Sequence, residues 1–364
     1  MENPPPLPES QTPSPVNNPL GGSIPTKKKL LFWLILAILS VILAEVTCYS
    51  SPFPFFDGWG LLVVLPLYGL HTLFLAGLLY RNKQVSLPAL FLAGLLFGLY
   101  EAYITKVLWD PTWGDKTTMI AGIAGLQTGV LVLFWHPWFA FILPLLFGES
   151  IFTTTQEVFS VLPRLVRKIA QNPVGKMAGV ALLAAFFGIN QGVNSPWIFS
   201  TLISTAEAVG VFLLVSLLLK WTNKHTRYRF SDLLPKGKEL IVLGALLLAL
   251  YLVAGFLIRP EALPQRLGPH LTIWGMYMAA GILLWINLKK SKSTDNFLQI
   301  IPSRFPWFGI VIFVVVFIGS SILFSMFKST ATTLILIAWI IGILTGLGIF
   351  IQSILFALKP HELN

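Results

Sequence analysis

Apolar residues in this chain fall in long runs rather than in the two-residue alternation of a half-buried strand or the narrow stripe of a surface helix. The runs lie near 30–47, 59–80, 87–107, 126–150, 175–191, 197–220, 239–258, 271–288, 306–327 and 333–357. Each is about 20 residues, enough for a helix to cross the roughly 30 Å hydrocarbon core of a bilayer. The pattern predicts an all-α polytopic integral membrane protein with ten transmembrane helices. The stretch Thr118–Phe152 admits either two short helices turning at Trp135-His136-Pro137 or one helix after an outer loop containing glycine.

Lysine and arginine decide between these two. With one helix there, 20 basic residues fall on one side and 5 on the other (Lys106, Lys116, Arg259, Arg266 and Lys328), whereas two helices leave 8 against 17. Positive residues concentrate in cytoplasmic loops, so the first count is the expected one and both termini are cytoplasmic. Trp59, Trp109, Trp113, Trp197 and Trp307 fall near predicted helix ends, where amphipathic rings favour the interface.

Composition agrees: 55% of the 364 residues are hydrophobic and 11% charged, outside the balance of a soluble domain. The net charge of +10 sits in short basic clusters between membrane-length runs. It is therefore read as attraction to anionic lipid of the cytoplasmic leaflet, not to nucleic acid. A single cysteine, Cys48, excludes an intramolecular disulfide framework and a thiolate cluster.

Residues 1–26 hold eight prolines and little apolar bulk, and read as a disordered cytoplasmic tail ahead of a helical domain at 27–359. Lys27, Lys28 and Lys29 before an apolar run mimic a secretory signal, but no small-x-small cleavage site follows, so a retained first helix is expected. Residues 153–172 open with the capping spacing Thr154 to Glu157 and set Phe159, Leu162, Val166 and Ile169 against Arg164, Arg167 and Lys168. An amphipathic segment on the inner leaflet is expected there, or an ordinary connecting helix, with Pro163 interrupting either. Gly342 and Gly346 form a GxxxG spacing whose ordinary meaning is close helix packing.

A charge at the centre of an inserted helix costs roughly 2.5–3.5 kcal/mol, so each one needs a partner, water or a task. Counted inward from predicted outer ends, Glu101 lies about 9 Å deep, Glu207 about 12 Å, His136 about 15 Å and His71 about 18 Å. Gln127, Asn190 and Gln191 lie near outer ends, and Glu45 is shallower than the others. Glu101, His136 and Glu207 are read as lining an outward polar pocket, with His71, Gln127 and Asn190 as further substrate- or proton-binding candidates. Against each stands a bland alternative: a carboxyl kept for packing at Glu101 and Glu207, an imidazole satisfying a carbonyl freed by Pro137 at His136, and a satisfied core histidine at His71. Lys106 and Asp110, four residues apart, are expected to form an exposed pair, and Glu149 and Glu239 to sit at water-accessible inner ends. No catalytic, nucleotide or metal motif is assembled, and neither a cofactor nor a metal is expected.

The stretch from Pro52 to Glu149 resembles a group of uncharacterised bacterial multi-pass membrane proteins. The likeness rests on SPFPFF, Tyr68-Gly69 with Arg81, GLYE with Lys106, DPTW, and His136 followed by Pro144 and Glu149; this chain has Glu101-Ala102 where that group commonly has two glutamates. A fainter similarity is to the CAAX-protease and bacteriocin-protection family, whose motif has two glutamates, three residues, then arginine. Here Glu101, Ala102 and Lys106 stand at those places, Val132 stands four residues before His136 where that family has phenylalanine, and no HxxxN follows.

Three readings stay open at this point. The first is a permease-like transporter or a protein that binds protons or a small polar or cationic solute. The second is a membrane-embedded enzyme acting on lipid or peptide, and the third a non-catalytic assembly subunit. A prokaryotic cytoplasmic membrane is the expected location.

Overall fold

The computed structural model describes residues 24–81, 85–111, 113, 118–153, 155–222, 228–290 and 307–359. Nearly all of the expected N-terminal tail, and Thr154 of the expected capping pair, lie outside them. Among the described residues ten helices are long and apolar enough to cross a membrane: span 1 (Thr26–Val46), span 2 (Gly60–Leu79), span 3 (Leu87–Ile104), span 4 (Gly125–Phe152), span 5 (Pro173–Asn194), span 6 (Ile198–Lys220), span 7 (Lys238–Ile258), span 8 (Leu267–Lys290), span 9 (Phe308–Met326) and span 10 (Lys328–Leu358). The protein is an all-α integral membrane protein. Thr118–Phe152 resolves into an antiparallel pair of two-residue strands, Met119–Ile120 and Ile123–Ala124, followed by a single helix.

Span 3 is the axis of the bundle, with 83% of its apolar window buried. It lies against span 4 because two glycines on one face admit the neighbouring backbone: a Cβ on Gly94 would stand 2.5 Å from Pro137 Cα, and one on Gly98 2.9 Å from His136 Cβ. Glu101 follows one turn later on that face. Span 10 docks on the other side of span 4 through the GxxxG pair, with Gly342 against the Phe134 ring and Gly346 against the Leu133 carbonyl. Leu133 lies four residues before Pro137, where a proline ring collides with the carbonyl of a regular helix. Span 4 accommodates this by widening into a π-helix over Leu131–Ile142.

Among the described residues three further π-helical turns occur, at Ile42–Val46, Gly60–Val64 and Val253–Ile258, in spans 1, 2 and 7. Helix propensity and apolar period predict none of them.

At the inner ends, Lys29 Nζ lies 2.6 Å from Glu239 Oε1, tying span 1 to span 7. Glu149 is not reached by water as expected. It is 1% exposed, and its carboxylate accepts from the amides of Val158 and Phe159, each at 2.9 Å, which folds the following segment under span 4. That segment is broken at Pro163: a 3-10 turn at Phe159–Val161 precedes a helix at Arg164–Gln171 that leaves Leu165, Val166 and Ile169 exposed.

Candidate functional site

The four π-helical segments share one property: each supplies wall residues to a single cavity of about 750 Å³. Glu45 comes from the first, Val63 and Val64 from the second, Trp135 and His136 from the third, and Ala254 from the last. A π turn inserts an extra residue and swings the side chains beyond it to a new bearing, which is why such turns recur at functional sites. Of the lining residues, Trp59 is 46% exposed and marks the mouth with Trp113 and Arg259, whereas Tyr68 and His136, 1% and 2% exposed, mark the floor with Glu101. Tyr68 is nine residues past Trp59 on span 2, so the floor lies about 13 Å below the mouth. The volume falls within the range of small-molecule sites, about 300–1,000 Å³.

The floor is a proton-sharing cluster. His136 Nε2 lies 3.0 Å from Glu101 Oε2 and 3.3 Å from Tyr68 Oη. Tyr68 donates its hydroxyl proton to Glu45 Oε1, and Ser50 donates to Glu45 Oε2. His136 Nδ1, 3.0 Å from the Leu131 carbonyl oxygen, must be a donor there because a carbonyl only accepts. With the Tyr68 proton committed to Glu45, the Tyr68 oxygen accepts from His136 Nε2. The imidazole then carries both protons and, with both carboxyl groups ionised, the cluster bears a net charge of minus one. A half-buried cluster of that charge calls for one more positive charge, whether a proton or a bound cation.

The same groups bear on metal binding. Glu45, Glu101 and His136 each offer one ligand atom, all within 4.8 Å of one another, and two oxygens with an imidazole nitrogen suit a borderline divalent ion. Each of the three side chains is nevertheless hydrogen-bonded within the cluster. Cys48, on the cavity wall just past span 1, stands beside this group; burial first, then the Glu45 charge, pushes its thiol up to about 12.

A model of the Uncharacterized membrane protein family matches residues 34–363, a stretch that contains every residue of the cavity. The chain belongs to that family. It is also similar to a protein of Archaeoglobus fulgidus described as an uncharacterized protein, 40% identical over 271 residues that cover 72% of this chain and 80% of the relative. The likeness thus extends well past residues 52–149 and is not confined to bacterial proteins. No solved structure matches the chain.

Of the residues singled out from the sequence, the fold brings Glu101, His136 and Asn190 to this family member's cavity. Glu207 does not join them. Its Oε1 accepts from the Phe55 amide at 2.8 Å and holds the loop between spans 1 and 2. His71 is a packed core histidine: Nδ1 meets the Leu67 carbonyl at 2.7 Å, Nε2 meets the Tyr251 hydroxyl, and the ring stacks 4.6 Å from Phe97. Gln127 acts at one remove, donating to the Trp113 carbonyl at 2.5 Å behind a ring that lines the wall. Lys106 and Asp110 meet through their backbones, with the Asp110 amide donating to the Lys106 carbonyl at 2.8 Å. His136 Nδ1 meets the Leu131 carbonyl, not the Leu133 or Val132 carbonyl that the missing amide of Pro137 leaves free, and the ring forms the floor.

Sequence reasoning passed over Glu45 and Tyr68. Counted along the sequence Glu45 is shallow, but the π turn at Ile42–Val46 carries it into the cluster. One signal for the site was present in the spacing Gly94-xxx-Gly98-xx-Glu101, where two small residues invite a neighbouring helix onto the face that bears the carboxylate.

Proposed function

We propose that the protein is a permease-like transporter that exchanges protons for a solute at the Glu45, Glu101 and His136 cluster. The observation that carries this reading is the cluster's place: a proton-sharing group of two carboxyls and one imidazole at the floor of a cavity walled by four π turns, whose extra residue lets a helix change register. Beneath it, Phe97 packs edge-on to Tyr68 at 5.1 Å and against His136 at 5.8 Å, closing the inner side. The lysine and arginine distribution and the archaeal relative support a prokaryotic cytoplasmic membrane, with basic inner loops against anionic lipid. Proteoliposomes loaded with a pH indicator test it. A candidate solute added outside should drive proton movement, and Glu45→Gln with Glu101→Gln should abolish that response. Proton movement equal in the double variant and the unaltered protein would remove the reading.

The 3.0 Å contact between Glu101 and His136 supports a second reading. A carboxylate beside an imidazole is an acid–base couple, and a membrane-embedded enzyme acting on lipid or peptide would use it, with Glu101 as base. Metal analysis of the purified protein separates the two: a stoichiometric, tightly held divalent metal that is lost in His136→Ala favours the enzyme.

A further inference from the structure

The cavity's aromatic residues are of a particular kind. Tyr49, Trp59, Tyr68, Trp113, Trp135 and Trp339 line it, and among the described residues none of the chain's 28 phenylalanines does. Phenylalanine is the most abundant aromatic of the chain and packs directly behind this wall, so its exclusion is a property of the surface itself. Tryptophan and tyrosine present the more electron-rich faces, and tryptophan is the best partner for a cation. An interfacial belt of such rings accounts for Trp59 and Trp113 at the mouth but not for Tyr68 and Trp135 at the floor.

The charges point the same way. In a protein of net charge +10, the two carboxylates of this cavity converge at its floor beside one imidazole. Arg259 at the mouth is already offset by Glu261, 3.3 Å away. Its guanidinium lies 6.0 Å from the centre of the Trp59 ring, so one of these rings already carries a cation over its face. Most of the remaining wall is aliphatic, which a small hydrated ion would not use and an apolar body would.

Resting on the transport reading above, we infer that the solute is a lipophilic organic cation, held by aromatic faces around its apolar body with its positive charge over Glu45 and Glu101. The cation replaces the charge that a proton otherwise brings to the cluster, which is the physical basis for exchange.

Tetraphenylphosphonium and tetraphenylborate have the same shape and opposite charge, and make the decisive pair of probes. Equilibrium dialysis against the full-length protein in nanodiscs, corrected for empty nanodiscs, should show saturable one-to-one binding of the phosphonium. Tetraphenylborate should bind at least about tenfold more weakly. Glu101→Asp should retain phosphonium binding and Glu45→Gln with Glu101→Gln should lose it. Trp339→Leu should weaken it severalfold. Because the comparison of the two probes uses the unaltered protein, it stands even where a variant fails to fold. Equal binding of both ions, or phosphonium binding that survives loss of both carboxylates in a folded variant, would overturn the inference. Phosphonium binding without uptake into proteoliposomes would instead overturn the transport reading and leave the ligand class standing.

Discussion

Spans 1 to 4 and spans 7 to 10 are all apolar enough to cross a bilayer, yet the buried share of their apolar windows runs from 61 to 83% in the first group and from 17 to 22% in the second. Apolarity therefore governs insertion and not packing. Lipid tails are as apolar as leucine, so helices associate in a bilayer through close backbone approach and interhelical hydrogen bonds. The first group is rich in both. Ser40 donates to the Ala140 carbonyl at 2.5 Å, Thr72 to Ser40 at 3.1 Å and the Trp135 indole to the Ala44 carbonyl at 3.0 Å, joining spans 1, 2 and 4 around the cluster. Among the later spans, the Asn287 amide to the Ser353 carbonyl at 3.2 Å is a contact of this kind. The well-packed group holds the charges because only a rigid, satisfied surround can keep them at that depth.

The sharpest way to break this contrast is to remove one aromatic ring from each group. Phe97 is fully buried between Tyr68, His71 and His136, so Phe97→Ala should cost about 3–5 kcal/mol and loosen the floor of the cavity. Phe256 in span 7 is 63% exposed, and Phe256→Ala should change stability by less than about 0.5 kcal/mol. Thermal unfolding of the two variants in one detergent measures the difference; equal losses would mean that the burial contrast has no energetic counterpart.

A methyl group sharpens it next. Gly98→Ala forces span 4 away from span 3 at His136 and should cost about 1–3 kcal/mol, with loss of the Glu101 contact. Gly281→Ala in span 8, where a Cβ meets nothing within 4 Å, should be neutral or slightly stabilising because alanine is the better helix former. Unfolding midpoints together with phosphonium binding distinguish a lost fold from a displaced histidine.

How much of this was legible follows the same division. Every span was readable, because a run of about 20 apolar residues has few alternatives. Glu101 and His136 were readable as charges out of place in such runs. Glu45 and Tyr68 were not: a π turn leaves no mark on the apolar period, and a tyrosine in a uniformly apolar helix carries no directional signal. Glu207 misled for the opposite reason. Its partner is the backbone amide of Phe55, 152 residues away, and a backbone group has no identity in a sequence.

A smaller effect lies at the end of span 3. The Lys106 amide donates to the Tyr103 carbonyl at 3.1 Å, a bond of a helix-ending turn that usually uses glycine at this place, yet Lys106 occupies the left-handed position with φ of 70°. Lys106→Gly should relieve about 1 kcal/mol and raise the unfolding midpoint. A fall would show that the lysine charge outweighs the strain of its backbone.

The slightest perturbation reports on the cluster itself. Cys48 sits beside it with its thiol pushed up to about 12, by burial first and by the charge of Glu45 second. The thiolate is the reactive form, so at pH 8 only about one molecule in ten thousand is competent, and maleimide should label the native protein about a thousandfold more slowly than a free cysteine. Glu45→Gln removes the second cause and leaves the first. Labelling should therefore quicken, yet stay well below the rate of the unfolded chain. A rate unchanged by Glu45→Gln would mean that Glu45 carries no charge next to Cys48. The floor of the cavity would then be neutral, with no place for a cation.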